Sequence, residues 1–183
     1  MKIVMPAFKM FLIMSVICGG IYTIALTGIG QLFFPEQANG RVVKVTHNGA
    51  EKVIGSTLLG QEFKGAQFLQ GRPIGVSNLS GVSSEQKDAV SKRVKQLKQE
   101  NPNQTGKIPA DLVTGSGSGV DPEISLAGAN YQVARIAEAR GISETIVQKT
   151  IEKNTTGELF GKIGEPRVNV LGVNKQLEEL KTK

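Results

Sequence analysis

The chain has no tryptophan, a single histidine, His47, and a single cysteine, Cys18. A zinc centre needs three or four Cys, His or carboxylate ligands, and a histidine-based triad needs an imidazole beside its nucleophile. His47 stands next to Asn48-Gly49 and reads as an exposed turn residue rather than a ligand or a base. Cys18 lies inside an apolar run, so the rest of the chain can form no disulfide. Carboxylates such as Asp111, Asp121 and Glu123 are then the groups left for acid–base work, and their positions suit turns and helix caps better. A free-standing enzyme is the class these absences weaken most.

Charge is missing over a long stretch as well. From Met10 to Pro35 there is no Asp, Glu, Lys or Arg, and the run "MFLIMSVICGGIYTIALTGIGQLFF" is long enough to cross a hydrocarbon core of about 30 Å as a helix. A secretory signal has an apolar core of only about 7–15 residues and a small-x-small cleavage site; the longer run and the poor sites between Ala25 and Gly30 favour a retained anchor. Lys2 and Lys9 precede the run, which predicts a cytoplasmic N-terminus over residues 1–9, a transmembrane helix over 10–34 and an extracytoplasmic domain over 35–183.

All 16 acidic residues, and every basic one except Lys2 and Lys9, lie beyond Phe34, leaving that domain only mildly basic. Its most basic stretch, "KDAVSKRVKQLKQ", has no interleaved aromatic ring to stack a base, so it reads as a solvated helix face and no nucleic-acid partner is expected.

What the domain does contain is a mixture of periods. "GRVVKVTHNGAEKVIGS" places two β-branched runs around Asn48-Gly49 and predicts a hairpin. The following glycine-rich segment, anchored by Phe63 and Phe68, reads as irregular packed chain, with Arg72-Pro73 as a corner. A helix is predicted from Ser83 or Ser84 to Glu100, with Val90, Val94 and Leu97 as its apolar stripe and Asn101-Pro102 as its stop. A second runs from Ser125 to Arg140, burying Ala129, Val133, Ile136 and Ala137; Gln132 flanks that stripe and Arg135 lies farther round. A third, Ser143 to Lys153, has Ser143 as its cap and Ile146, Val147, Thr150 and Ile151 on one side. Then comes an extended run with Val168 and Val170 on one face, and a short last helix capped by Asn174. The fold class is α+β: one transmembrane helix followed by one mixed domain.

The stretch "DLVTGSGSGVDPEIS", Asp111 to Ser125, is the most unusual in the chain. A phosphate loop needs a lysine and a hydroxyl after its glycines, and a phosphate at a helix N-terminus is repelled by carboxylates. No lysine follows here, and Asp121 and Glu123 do. Two readings stand: a docking corner made of Gly115, Ser116, Gly117, Ser118, Gly119 and Asp121, whose backbone can approach a neighbouring protein because glycine has no Cβ, or a flexible corner before a helix.

The segments "GSTLLGQEF", "FLQGRP", "IPADLVTGSGSGVDPEIS", "QVARIAEARGIS" and "GEPRVNVLGVN", in this order and spacing, resemble the C subunit of the Kdp-type potassium-transporting ATPase. The resemblance departs at Glu123, where the family often has histidine, and at Ser80-Gly81, where it often has Gly-Pro. It implies a bacterial inner-membrane complex that imports potassium at the expense of ATP. Its partners would be a channel-like subunit, a P-type ATPase subunit and a small single-span subunit. This chain would be the accessory subunit, not catalytic alone, needed for assembly and raising the pump's ATP affinity as a catalytic chaperone. Gln132 matches best the glutamine tied to nucleotide in that family. A membrane-tethered nucleotide-binding module is the alternative.

Overall fold

The computed structural model describes residues 3–47, 50–76, 78–158 and 163–180, in two compact units, Met1–Val42 and Val43–Lys183. The Asn48-Gly49 turn and the His47 side chain lie outside what is described.

The first unit is one apolar helix, Val4–Phe33, none of whose residues is buried. Its parts are α1 (Val4–Ser15), one wide π turn (Val16–Ile21) and α2 (Tyr22–Phe33). It begins ahead of the charge-free run because Pro6 falls in its first turn, where a missing N–H costs nothing. The Lys9 stem can carry its ammonium along the apolar surface toward water. The π turn contains Gly19-Gly20, and the Thr23 hydroxyl donates to the carbonyl of Cys18, five residues back (3.4 Å). Pro35 disfavours a helical Phe34, where the helix ends, and a single turn follows, α3 (Pro35–Ala38).

The second unit starts with the two-stranded sheet β1 (Val42–His47) and β2 (Ala50–Ser56), the hairpin strands expected from sequence. Irregular chain leads to α4 (Ser84–Glu100), where the Ser83 hydroxyl accepts from the Gln86 N–H as an N-cap. Hydrogen bonds from the backbone, then Ser83 and Ser84, hold the Glu85 carboxyl below its usual range. Asn101 closes the helix, and Leu97 is the member of its stripe that becomes buried.

A three-stranded antiparallel sheet, in the order β3-β5-β4, joins β3 (Glu123–Ser125), β4 (Thr155–Thr156) and β5 (Arg167–Asn169). Its register sets Ile124 opposite Val168, both facing the core. Around it pack α5 (Leu126–Asn130), α6 (Val133–Arg140), α7 (Glu144–Lys153) and α8 (Val170–Glu179). Leu69, Ile136, Val147, Ile151, Val168, Val173 and Leu177 form the best-buried part of the core, each side chain contributing about 1.5–3 kcal/mol by leaving water. The α+β class is therefore the observed one.

Three sequence expectations are corrected. The helix expected over Ser125 to Arg140 is two helices, broken at Tyr131-Gln132, with Gly141 (φ +66°) ending the second. The extended run stops at Asn169, whose side chain accepts from the Gly172 N–H, so α8 begins at Val170, and Asn174 sits buried inside it rather than at its cap. On α7, Ser143 caps through its carbonyl, not its hydroxyl, and Ile146 is exposed while Val147, Thr150 and Ile151 are buried.

Candidate functional site

The irregular stretch before α4 is held in place by side chains from far along the sequence. Arg135 lies 7 % exposed and uses all five of its N–H groups: Nε to Asn101 Oδ1, Nη1 to the carbonyls of Gly65 and Ala66, Nη2 to the carbonyl of Phe68 and to Gln132 Oε1. Arg140 Nε donates to the carbonyl of Gln67 (2.6 Å), its ring-facing side covers Phe68, and Nη2 pairs with Glu178. Asn174 accepts from the Leu69 N–H (2.8 Å) and donates to its carbonyl (2.9 Å). Gln132 does the same to Gln70, at 2.9 and 3.0 Å. Six consecutive carbonyls, Gly65 to Gln70, are thus each met by a side-chain donor. This is how a stretch without a ladder escapes the cost of buried, unpaired backbone.

Gln132 is fully buried, and its amide also donates to the Gly128 carbonyl (3.1 Å). Both of its N–H groups and its oxygen are taken. Neither its burial nor that of Arg135 was legible in the periodicity, since both sit off the apolar stripe. Burial pushes the Arg135 guanidinium below its ordinary range, while the charge of Glu100 opposes that shift.

The glycine loop is ordered by its own serines. Ser116 Oγ accepts from the N–H groups of Gly119 (3.0 Å) and Asp121 (3.4 Å), and Ser118 Oγ from that of Val120 (3.2 Å). Asp121 Oδ1 accepts from the Glu123 N–H and closes the turn through Pro122. Two bonds then tie the loop to neighbouring chain: the N–H of Gly75 donates to the Gly119 carbonyl (2.7 Å) and that of Gly60 to the Val120 carbonyl (2.6 Å). Glycine is required at both contacts. Gly119 has φ +72° and a Cβ there would lie 2.7 Å from Gly75 and Val76 backbone; one on Gly60 would lie 2.5 Å from the Asp121 carbonyl. Gly117 differs: it is exposed, with open space around its missing Cβ.

Arg72, at the expected corner, turns toward this loop, donating to the carbonyl of Gly115 (3.1 Å). Beside the loop stand exposed Leu59, Ile74 and Val76. No charged residue occurs between Val53 and Gly60, between Pro73 and Ser84, or between Leu112 and Val120. Asp111 lies apart from that role, accepting from the Ser125 N–H (2.7 Å) ahead of α5. Among the described residues no group of three or more His, Cys, Asp or Glu is arranged to hold a metal ion.

Residues 4–179 match the family described as KdpC, K+-transporting ATPase, c chain. The chain is 45% identical to the potassium-transporting ATPase KdpC subunit of Clostridium botulinum (strain Eklund 17B / Type B), over 97% of this chain and 96% of that one. It is 44% identical to the KdpC subunit of Herminiimonas arsenicoxydans, over 95% and 96%, and 42% to that of Trichlorobacter lovleyi, over 98% and 99%.

Proposed function

The chain belongs to the KdpC family, the c chain of K+-transporting ATPases, and on that premise we propose that it is a non-catalytic accessory subunit that secures assembly of an ATP-driven potassium import complex through the face built on Gly115 to Gly119. It is a membrane-associated subunit with one N-terminal apolar helix. The reading assigns it three partners in a bacterial inner membrane: a channel-like potassium-translocating subunit, a P-type ATPase subunit and a small single-span subunit. Lys2 and Lys9 stay cytoplasmic and the α+β unit lies outside.

The observation that carries the assembly role is the combination of order and openness in the loop. Its backbone is fixed by serine hydroxyls before any partner arrives, so docking costs little ordering entropy. Gly115 and Gly117 expose peptide groups with no side chain to hold a partner away. Exposed apolar side chains flank the loop, with Asp121 and Arg72 as the charged groups at its edge.

A rise in ATP affinity of the pump then travels through the assembled complex as a coupling between distant sites. The side-chain amide of Gln132 supports that route over direct contact, because it is buried and fully bonded within the chain. A nucleotide contact at Gln132 requires the clamp on Gln70 to open first.

Purification of the tagged full-length chain from native membranes in mild detergent tests the reading. A multi-span channel-like protein and a P-type ATPase are expected to co-purify, with potassium-stimulated ATP hydrolysis. Recovery of the chain alone, binding ATP at micromolar concentration by itself, would overturn it in favour of a tethered nucleotide-binding module. For orientation, Cys18→Ser followed by Lys98→Cys should give a thiol labelled by a membrane-impermeant reagent in cells whose outer barrier is open; protection until the inner membrane is lysed contradicts an outside domain.

A further inference from the structure

The arginines of the second unit fall into two groups. Arg140 and Arg167 bond to carboxylates, Glu178 and Glu123, at 2.7 and 2.8 Å, and Arg135 is enclosed by five neutral acceptors. Arg72 and Arg93 have no carboxylate within hydrogen-bond length among the described residues: the nearest to Arg72, Asp121, is 3.9 Å away. Their described bonds go to one short run of the chain, Arg93 to the carbonyl of Val113 (2.9 Å) and Arg72 to Thr114 and to the carbonyl of Gly115. Arg72 Nε is buried without an acceptor among the described residues.

Both arginines line one cleft of about 470 Å³ between α4 and the chain from Gln61 to Ile74. Arg93, Gln96, Leu97 and Glu100 reach it from one face of the helix, as their i, i+3, i+4, i+7 spacing requires. Glu100 makes its described hydrogen bonds to the side-chain amides of Gln70 (3.0 Å) and Gln96 (2.8 Å), not to either arginine. Glu62 is paired with Lys64 at 3.3 Å. The cleft therefore has guanidinium donors to spare over a partly apolar floor of Leu97, Leu112 and Pro73.

We infer that this cleft receives a carboxylate side chain from an extracytoplasmic segment of a partner subunit, gripped by Arg72 and Arg93. The inference rests on the docking reading above and names a second, charged anchor for it. Guanidinium donors match a planar carboxylate, and the nearby Glu62 and Glu100 disfavour a doubly charged phosphate. The same two arginines brace the start of the glycine loop, so an acid bound here is continuous with the docking face and fixes its register.

The test uses the assembled complex carrying Arg93→Lys, which places a primary amine in the cleft. A carbodiimide activates a carboxylate, the amine displaces the resulting urea, and a zero-length amide bond records the neighbour. A cross-link from position 93 to a Glu or Asp of another subunit is expected, and only intrachain links to Glu62 or Glu100, or none, would overturn the proposal. In parallel, Arg93→Gln, which also gives up the bond to the Val113 carbonyl, is compared with the wild type at equal folded fraction and should lower retention in the complex at least tenfold, with a weaker dependence on salt. Retention equal to wild type at every salt concentration also overturns it. If Gly117→Val releases the subunit while Arg93→Gln does not, this anchor falls and the docking reading stands; if neither does, both fall.

Discussion

Two stretches of this protein have no regular secondary structure and contain glycine, yet they solve the same backbone problem in opposite ways. Gly65 to Gln70 hands its carbonyls to Arg135, Arg140, Asn174 and Gln132, residues more than 60 positions away, three of them buried. Gly115 to Val120 is closed by serines within itself and touches the rest of the chain through two backbone bonds and Arg72. The first arrangement couples a loop to the core, so that loop and core must fold together. The second leaves a pre-shaped loop standing on the surface, with Gly117 open to solvent. The first stretch is held by long-range side-chain bonds and the second mainly by local ones, which leaves the second freer to serve a partner.

If that contrast is right, the clamp should be the costlier place to cut. Arg135→Met removes five hydrogen bonds, three of them to part-buried carbonyls, and is expected to destabilise the full-length chain by about 3 kcal/mol in a denaturant titration. A loss below about 1 kcal/mol would show that the carbonyls find water instead. Gln132→Ala leaves the Gln70 N–H and carbonyl unpaired, for an expected loss of about 2–3 kcal/mol. Asn174→Ala, which does the same to Leu69, should match it within error, and ATP should not restore either variant's melting temperature.

The loop should yield smaller effects. Gly119→Ala forces a positive φ on a residue with a Cβ and pushes it against Gly75 and Val76, for about 1–2 kcal/mol. That loss should appear as a local loosening of residues 113–121 in hydrogen exchange rather than as exposure of the core.

Much of this architecture is legible in sequence where the signal is local. Ser83, Asn101-Pro102 and Gly141 mark helix ends because caps and breakers act within one turn. The apolar run from Met10 announces its helix by length alone. The break at Tyr131-Gln132 is invisible, because the apolar period of Ala129, Val133, Ile136 and Ala137 continues straight through it. Asn169 and Asn174 are equally good caps by composition; only the distant Leu69 backbone decides which one stays inside the helix. The glycine loop stands out as a candidate site by composition, but the cleft of Arg72 and Arg93 does not, since it is made by helix α4 and a segment that meet only in three dimensions.

The central claim is that the glycine loop serves assembly rather than folding, and Gly117→Val tests it most directly. With nothing within 4 Å of a Cβ at that position, the full-length chain should keep its stability to within about 0.5 kcal/mol. Measured side by side, the same substitution should strip the subunit from the purified complex and abolish potassium-stimulated ATP hydrolysis. A Gly117→Val complex that assembles and hydrolyses ATP like the wild type would contradict the account.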